Sequence, residues 1–175
     1  MLKALGLVVV ALIAAVLIYA ATRPDSFRVE RSIRIQAPPD KIYPLIVDFK
    51  AWPTWSPWEK LDPAMKRELS GSARGTGAVY AWTGNKDVGQ GRMEITEAVA
   101  PSRIVVQLDF IEPIAANNIA EFTLQPDGDA TRVVWAMHGP SPYIAKLMGL
   151  AFSMDAMVGK DFESGLANLK AAAEK

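Results

Sequence analysis

The pattern of apolar and polar positions divides this chain into an uninterrupted apolar run and a longer part in which polar residues recur regularly. Residues 4–21 read ALGLVVVALIAAVLIYAA and carry no charge. A helix of this length extends ~27 Å at ~1.5 Å per residue, close to the ~30 Å hydrocarbon core of a bilayer. We therefore predict one N-terminal transmembrane helix with a short linker over residues 1–25, followed by one folded domain over residues 26–175.

The apolar run also permits a second interpretation, and its orientation has two solutions. Lys3 gives the run the charged start of a secretory signal peptide, but small residues are poorly placed for cleavage around Tyr19 to Thr22. Arginines at four positions between 23 and 34 favour a cytoplasmic domain, whereas an ordinary signal-anchor start favours the other side. We expect an uncleaved single-pass anchor in a membrane, with the side of the folded domain unassigned.

After the run, the period of the apolar positions changes several times. Residues 27–36, FRVERSIRIQ, alternate and predict a strand that is interrupted near Arg31 and Ser32. Four apolar residues between positions 42 and 49 fall at i, i+3, i+4 and i+7, which predicts a helix with prolines in its first turn. The segment WPTWSPWE, residues 52–59, ends this helix and contains the start of a second short one.

The second half of the chain predicts a run of strands and then a long helix. Turn residues divide residues 67–137 into about six strands. Ser141 and Pro142 suit a helix start, and apolar residues from 144 to 169, Ala151 included, continue at helical spacing. We therefore expect one closing helix of about 30 residues. Its glycines, among them Gly159 and Gly165, would bend it and leave room beneath it.

Composition excludes several classes of function. The chain has 175 residues, 19 basic and 19 acidic, without a basic block, so nucleic acid is not an expected partner. With no cysteine and one histidine, it has no thiolate ligands and no two-histidine site. No GxSxG, HExxH or P-loop pattern is present in the sequence. No cofactor or metal is predicted, and nothing indicates an oligomeric state.

Four segments stand out along the predicted order of elements: WPTWSPWE, GRMEITE, LDFIEP and MDAMVGKDFESGLANLK. Together with that order, they resemble the START-like or SRPBCC superfamily. Within it, they resemble the polyketide cyclase/dehydrase and lipid-transport branch. The resemblance covers Phe27 to about Lys170. It implies an α+β helix-grip fold, in which a curved antiparallel sheet wraps around a long C-terminal helix. It also implies a hydrophobic cavity between them for lipids, sterols, polyketides or other apolar ligands, and only some members are enzymes.

Physical reasoning also leads to an apolar cavity. A sheet that curls around a helix leaves a wedge-shaped space between them, and apolar pockets of this kind are the usual ligand sites. Methionine side chains in such a pocket can adapt to varied ligands. The alternative is that these side chains fill a closed core. Similarly, the tryptophans at 52, 55 and 58 form either an aromatic lip, in contact with ligand or lipid, or a packed corner. The predicted cavity residues are Trp55, Trp82, Met93, Phe110, Phe122, Trp135, Met148 and Met154.

Catalytic candidates are few. His138 ends a predicted strand before Gly139 and Pro140, and it is the single imidazole available for acid or base chemistry. Asp155 and Asp161 interrupt the apolar helix, and a carboxylate facing the cavity would have a raised pKa and could donate a proton. The alternative for each is a solvent-facing position.

Three functions are compatible with these observations. The first is a membrane-tethered domain that binds or transfers a hydrophobic small molecule or lipid, which the tether would keep close to the bilayer. The second is an enzyme of the polyketide cyclase/dehydratase type that uses an acid or base in the cavity. The third is a stress-related domain with a filled core that binds a partner protein.

Overall fold

The fold is a computed structural model, which describes residues 2–150 and 153–175. Helices and strands follow one another in the order that the sequence predicts, apart from the closing helix. The helices are α1 Leu2–Ala21, α2 Pro39–Val47, α3 Tyr143–Met148 and α4 Met154–Ala173. The strands are β1 Ser26–Ile35, β2 Lys66–Gly71, β3 Ala78–Thr83, β4 Gln90–Val99, β5 Arg103–Glu112, β6 Ala116–Asp127 and β7 Ala130–Pro140, and 3-10 turns span Phe49–Thr54 and Pro57–Lys60.

Helix α1 has the properties predicted for the apolar run. Its segment from Lys3 to Ala21 has a mean hydropathy of 2.8, and 6% of its residues are buried against the rest of the chain. The helix is therefore long and apolar enough to cross a membrane. A signal sequence close to the N-terminus would have the same length and composition.

The seven strands form one antiparallel sheet in the order β1-β7-β6-β5-β4-β3-β2. Alternate side chains of the inner strands are buried on one face, as expected for a half-covered sheet. Helix α4 covers that face, mainly along β1. The α+β class and the helix-grip arrangement are confirmed.

One end of the sheet carries the connection to α1. Ser26 at the start of β1 pairs with Pro140 at the end of β7, and Phe110 in β5 pairs with Ala116 in β6. The start of β1, the β5–β6 turn and the start of α3 therefore lie at the same end of the sheet. We call this the anchor end and the opposite one the distal end.

The tryptophan segment forms a packed corner. The indole N–H of Trp52 donates to the Ile46 carbonyl at 2.9 Å, and that of Trp55 donates to the Leu45 carbonyl at 2.8 Å. Both bonds hold the 3-10 turns against the end of α2, and both rings are buried. The alternative of an exposed aromatic lip is wrong for these two residues.

The prediction of one closing helix of about 30 residues is wrong, because α3 and α4 are separate. The N–H of Gly149 still bonds to the Ala145 carbonyl at 2.8 Å, but Gly149 caps α3. A new helix then begins at Met154 after the N-cap Ser153, whose side chain accepts a hydrogen bond from the Ala156 N–H at 3.0 Å. Ala151 lies outside the described residues.

The space that α4 glycines leave is occupied. A Cβ on Gly159 would come within 2.2 Å of an Arg31 guanidinium nitrogen, and one on Gly165 within 2.7 Å of the Trp135 ring. These glycines therefore allow α4 to approach the sheet closely, and they do not create a void. The prediction that they leave room beneath the helix is corrected.

Gly165→Ala is expected to destabilise the domain. Overpacking should cost about 1–3 kcal/mol of unfolding free energy, and the higher helix propensity of alanine should offset ~1 kcal/mol of that cost. The new methyl group would press on the rigid Trp135 ring and, at 3.1 Å, on Pro57. Gly159→Ala is the matched control, because it meets the flexible end of Arg31 and should cost less. Chemical denaturation measures both, and a larger loss for Gly159→Ala would contradict this account.

Candidate functional site

The interior between the sheet and α4 is an aromatic cluster. The Trp135 ring stacks on Phe162 of α4 with 4.2 Å between centroids and an interplanar angle of 6°. On its other side lie Phe122, with 4.9 Å between centroids, and the edge of Trp55 at 5.6 Å. All four side chains are almost fully buried. In this structure the predicted lining residues Trp55, Phe122 and Trp135 therefore pack against one another in a closed cluster between the sheet and α4.

One polar atom in the cluster has no partner. Within residues 2–150 and 153–175, Trp135 Nε1 is the one buried side-chain nitrogen or oxygen that has no hydrogen-bond partner. An unsatisfied buried donor costs about 1–3 kcal/mol, and native proteins satisfy nearly all of them. A molecule with an acceptor oxygen could satisfy the N–H of Trp135 only if the packing around this ring opened.

Burial is less complete toward the anchor end. Leu108 and Phe110 of β5, with Met154 and Val158 of α4, are half-buried and pack against the core. We call these four residues the apolar rim. The predicted lining residues Trp82 and Met93 are buried next to it, and Trp82 lies 6.0 Å from Phe110 between centroids.

Met148 lies elsewhere than predicted. It is 50% exposed at the end of α3, so it does not line the interior. The break between α3 and α4 explains the difference, because Met148 ends α3 and is not part of the helix that covers the sheet. The prediction for Met148 is corrected, while the half-buried Met154 belongs to the apolar rim.

Neither predicted catalytic residue faces the interior. His138 alternates with the buried Met137 in β7 and therefore lies on the outer face of the sheet. The Asp155 carboxylate is 60% exposed and pairs with Arg31 at 2.7 Å. The hydrogen bond from Arg31 lowers the pKa of Asp155, the opposite of the expected rise. Partial burial raises the pKa of Asp161.

A buried polar cluster that sequence reasoning missed lies beside the aromatic core. The Glu59 carboxylate, 5% exposed, accepts hydrogen bonds at 2.6 Å from both the Tyr80 hydroxyl and Arg67 Nε. Burial, followed by the bond to Glu59, raises the pKa of Tyr80 well above its usual range. The signal in the sequence was a single carboxylate, Glu59, directly after three tryptophans. We call these three residues the Glu59 triad.

Two clefts in the described part of the chain lie near the distal end. A cleft of about 440 Å³ lies between α2 and the β2–β3 turn, and one of about 180 Å³ borders β2 and β3. None of the predicted cavity residues lines either cleft. Across residues 2–150 and 153–175, no group of three or more His, Cys, Asp or Glu side chains is arranged to hold a metal ion.

A curved antiparallel sheet that holds a C-terminal helix defines the helix-grip class, and this chain has both elements. The chain belongs to the family described as polyketide cyclase / dehydrase and lipid transport, which matches residues 26–174. The resemblance to this branch of the START-like superfamily is confirmed.

Similar proteins share the fold at low identity. The bifunctional cyclase/dehydratase of the actinorhodin polyketide synthase from Streptomyces coelicolor is 26% identical over 164 residues, covering 88% of this chain and 46% of its own length. This chain thus spans about half of that relative. The di-domain ARO/CYC protein BexL of the BE-7585A pathway has a TM-score of 0.63 at 14% identity, over 90% of this chain and 53% of its own. The Aha1 dimer from Colwellia psychrerythraea has a TM-score of 0.58 at 19% identity, over 85% of this chain and 96% of its own.

Proposed function

We propose that this chain is a membrane-tethered binding module that takes up a hydrophobic small molecule or lipid between the sheet and α4. The observation that carries the proposal is the unpartnered N–H of Trp135 inside an otherwise apolar aromatic cluster. Apolar pockets with a few placed polar groups are the usual form of small-molecule sites. The ligand is accordingly an apolar molecule, flat enough to stack on aromatic rings, with at least one acceptor oxygen.

The apolar rim supports an entry route to this interior. Its four side chains come from β5 and α4, and they are half-buried where the cluster around Trp135 is closed. Entry requires α4 to move away from β5 at this end. The family supports the same function, because its description includes lipid transport.

The tether supports the ligand class. Helix α1 is long and apolar enough to cross a membrane, and an anchored domain meets membrane-dissolved ligands at high effective concentration. Modest affinity would then suffice. We assign the anchor to residues 1–25 and the binding module to residues 26–175.

Trp135→Phe tests the role of the indole N–H. The probes are fluorenone, which carries one carbonyl acceptor, and fluorene, which has a similar shape and none. We expect the full chain in mild detergent to bind fluorenone about tenfold more tightly, equivalent to ~1.4 kcal/mol, and the variant to lose this preference. Titration of the intrinsic tryptophan fluorescence measures both affinities.

Trp52→Phe is the matched control for stability. It removes an N–H that is bonded to Ile46, so it should cost about 1 kcal/mol of unfolding free energy, whereas Trp135→Phe should cost less. Native mass spectrometry of the full chain purified from its host completes the test. Bare polypeptide, with no uptake of either probe, would overturn the binding module and favour a filled-core domain that binds a partner protein.

A cyclase or dehydratase is the second candidate function. The observation that favours it is the Glu59–Tyr80 pair, a buried carboxylate and hydroxyl 2.6 Å apart next to Trp82. Together with the name of the Streptomyces coelicolor relative, it makes this pair a better acid–base candidate than His138 or Asp155. Tyr80→Phe should then abolish turnover of a bound polyketide-like ligand without changing its affinity, and unchanged turnover would remove the pair from the reaction.

A further inference from the structure

Helix α3 is attached to the end of the anchor helix. The Tyr143 hydroxyl donates to the Leu17 carbonyl at 2.9 Å, and Lys146 Nζ pairs with Asp25 at 2.5 Å. The backbone N–H of Ser141 adds a bond of 2.7 Å to the Asp25 carbonyl. These contacts come from both ends of the connection between α1 and β1, so α3 has a defined position beside α1.

The position of α3 beside α1 sets the depth at which α3 would lie in a bilayer. Leu17 precedes the last residue of α1, Ala21, by four residues, which is ~6 Å along a helix that rises ~1.5 Å per residue. Where α1 crosses a bilayer, α3 would lie at the level of the headgroups and the first acyl carbons. Amphipathic interfacial helices bury their apolar faces ~5–10 Å into that layer.

Exposed apolar side chains are concentrated at the anchor end. Among residues 22–150 and 153–175, six of the ten exposed large hydrophobic side chains lie there, although apolar side chains of this size are usually buried. Ile144 on α3 is 67% exposed, and Ile114 in the β5–β6 turn is 62% exposed. Together they form what we call the anchor-end patch: Ile111, Ile114, Tyr143, Ile144, Met148 and Leu150.

The parts of this patch are close neighbours. Helix α3 follows β7, and the β5–β6 turn lies one to two strands away, or ~5–10 Å at the usual spacing of ~4.8 Å. The patch is also continuous with the exposed apolar surface of α1 through the α1–α3 contact.

The charge at this end favours lipid as the occupant. Lys146 is nearly buried, and the hydrogen bond that it donates lowers the pKa of Asp25, so the two charges form a neutral pair. A surface that is apolar and locally neutral suits the acyl layer of a bilayer. The patch also adjoins the exposed apolar surface of α1, so a bilayer that α1 crosses would lie within its reach.

We propose that the anchor-end patch docks on the bilayer surface, with Ile144 and Ile114 inserted among the lipids, and so presents the apolar rim to the membrane. The rim residues Phe110 and Met154 lie at this same end, so a ligand could pass between bilayer and interior without crossing water. The inference rests on the proposed function, since it requires that α1 is a tether.

The absence of cysteine from the sequence allows a direct test with single spin labels. Ile144→Cys and Ile114→Cys are labelled with a nitroxide in the full chain, reconstituted in phosphatidylcholine vesicles. Val99→Cys, which is 49% exposed at the distal end, is the matched control, and Val10→Cys in α1 reports the tether. Collisions with lipid-soluble oxygen and with a water-soluble nickel chelate are then measured by electron paramagnetic resonance.

We expect the ratio of oxygen to nickel collisions at positions 144 and 114 to exceed that at position 99 by at least tenfold, with position 10 deeper still. Water-like ratios at 144 and 114 with a lipid-like ratio at 10 would overturn docking but leave the tether. Water-like ratios at all positions would overturn both. Shielding of 144 and 114 from both reagents would show a protein partner or second copy on the patch and would also overturn lipid docking.

Discussion

Phe122→Ala is expected to lower the unfolding free energy of the domain by about 3–5 kcal/mol, a large part of the 5–15 kcal/mol typical of a native protein. Phe122 is fully buried and lies within 4.9–6.3 Å, between ring centroids, of Trp135, Trp55 and Trp52. Its removal leaves an apolar hole walled by rigid rings that cannot collapse readily. Urea denaturation measures the loss.

The same variant also tests whether the interior accepts a ligand. A dry apolar cavity of this kind binds small aromatic molecules, so benzene should raise the melting temperature of Phe122→Ala more than that of the wild type. Phe110→Ala is the matched control, since the same atoms are removed from the half-buried rim, and its loss should be less than half as large. Equal losses would show that the rim is as tightly packed as the centre.

The fold was predictable because burial on one face of each element leaves a regular pattern. The alternation in β1 and the i, i+3, i+4 spacing of α2 follow directly from that one-sided burial. The break between α3 and α4 was not visible in the same pattern, since apolar residues keep helical spacing across it. Only Gly149 and the N-cap Ser153 marked it, and a glycine inside a helix gives the same signal as a glycine that ends one.

The interior residues were partly predictable, but their packing was not. Period two places Phe122 and Trp135 on the covered face of the sheet, where both are buried. Whether such rings line a cavity or fill it depends on distances between four elements that no sequence pattern encodes. Arg31 shows the same limit, because its interruption of β1 was visible whereas its partners Asp155 and Glu163 lie more than 120 residues away.

The Glu59 triad is the polar feature that the sequence concealed most completely. Tyr80 and Arg67 reach Glu59 from β3 and β2, so no local spacing connects the three residues. A buried ion pair stabilises a protein little compared with apolar residues of the same shape, yet loss of one partner costs about 3–5 kcal/mol. The triad should therefore be sensitive to single changes and tolerant of paired ones.

Glu59→Gln is accordingly expected to cost about 2–3 kcal/mol of unfolding free energy, below the full range for buried pairs because Arg67 is 29% exposed. Glu94→Gln breaks a pair with Arg92 of the same 2.6 Å length, but both side chains are at least 36% exposed, so it should cost about 0–1 kcal/mol. The double variant Glu59→Gln/Arg67→Met removes both charges and should recover part of the loss. Urea denaturation at neutral pH measures all three, and equal costs for the two Glu→Gln variants would show that burial of Glu59 does not govern its contribution.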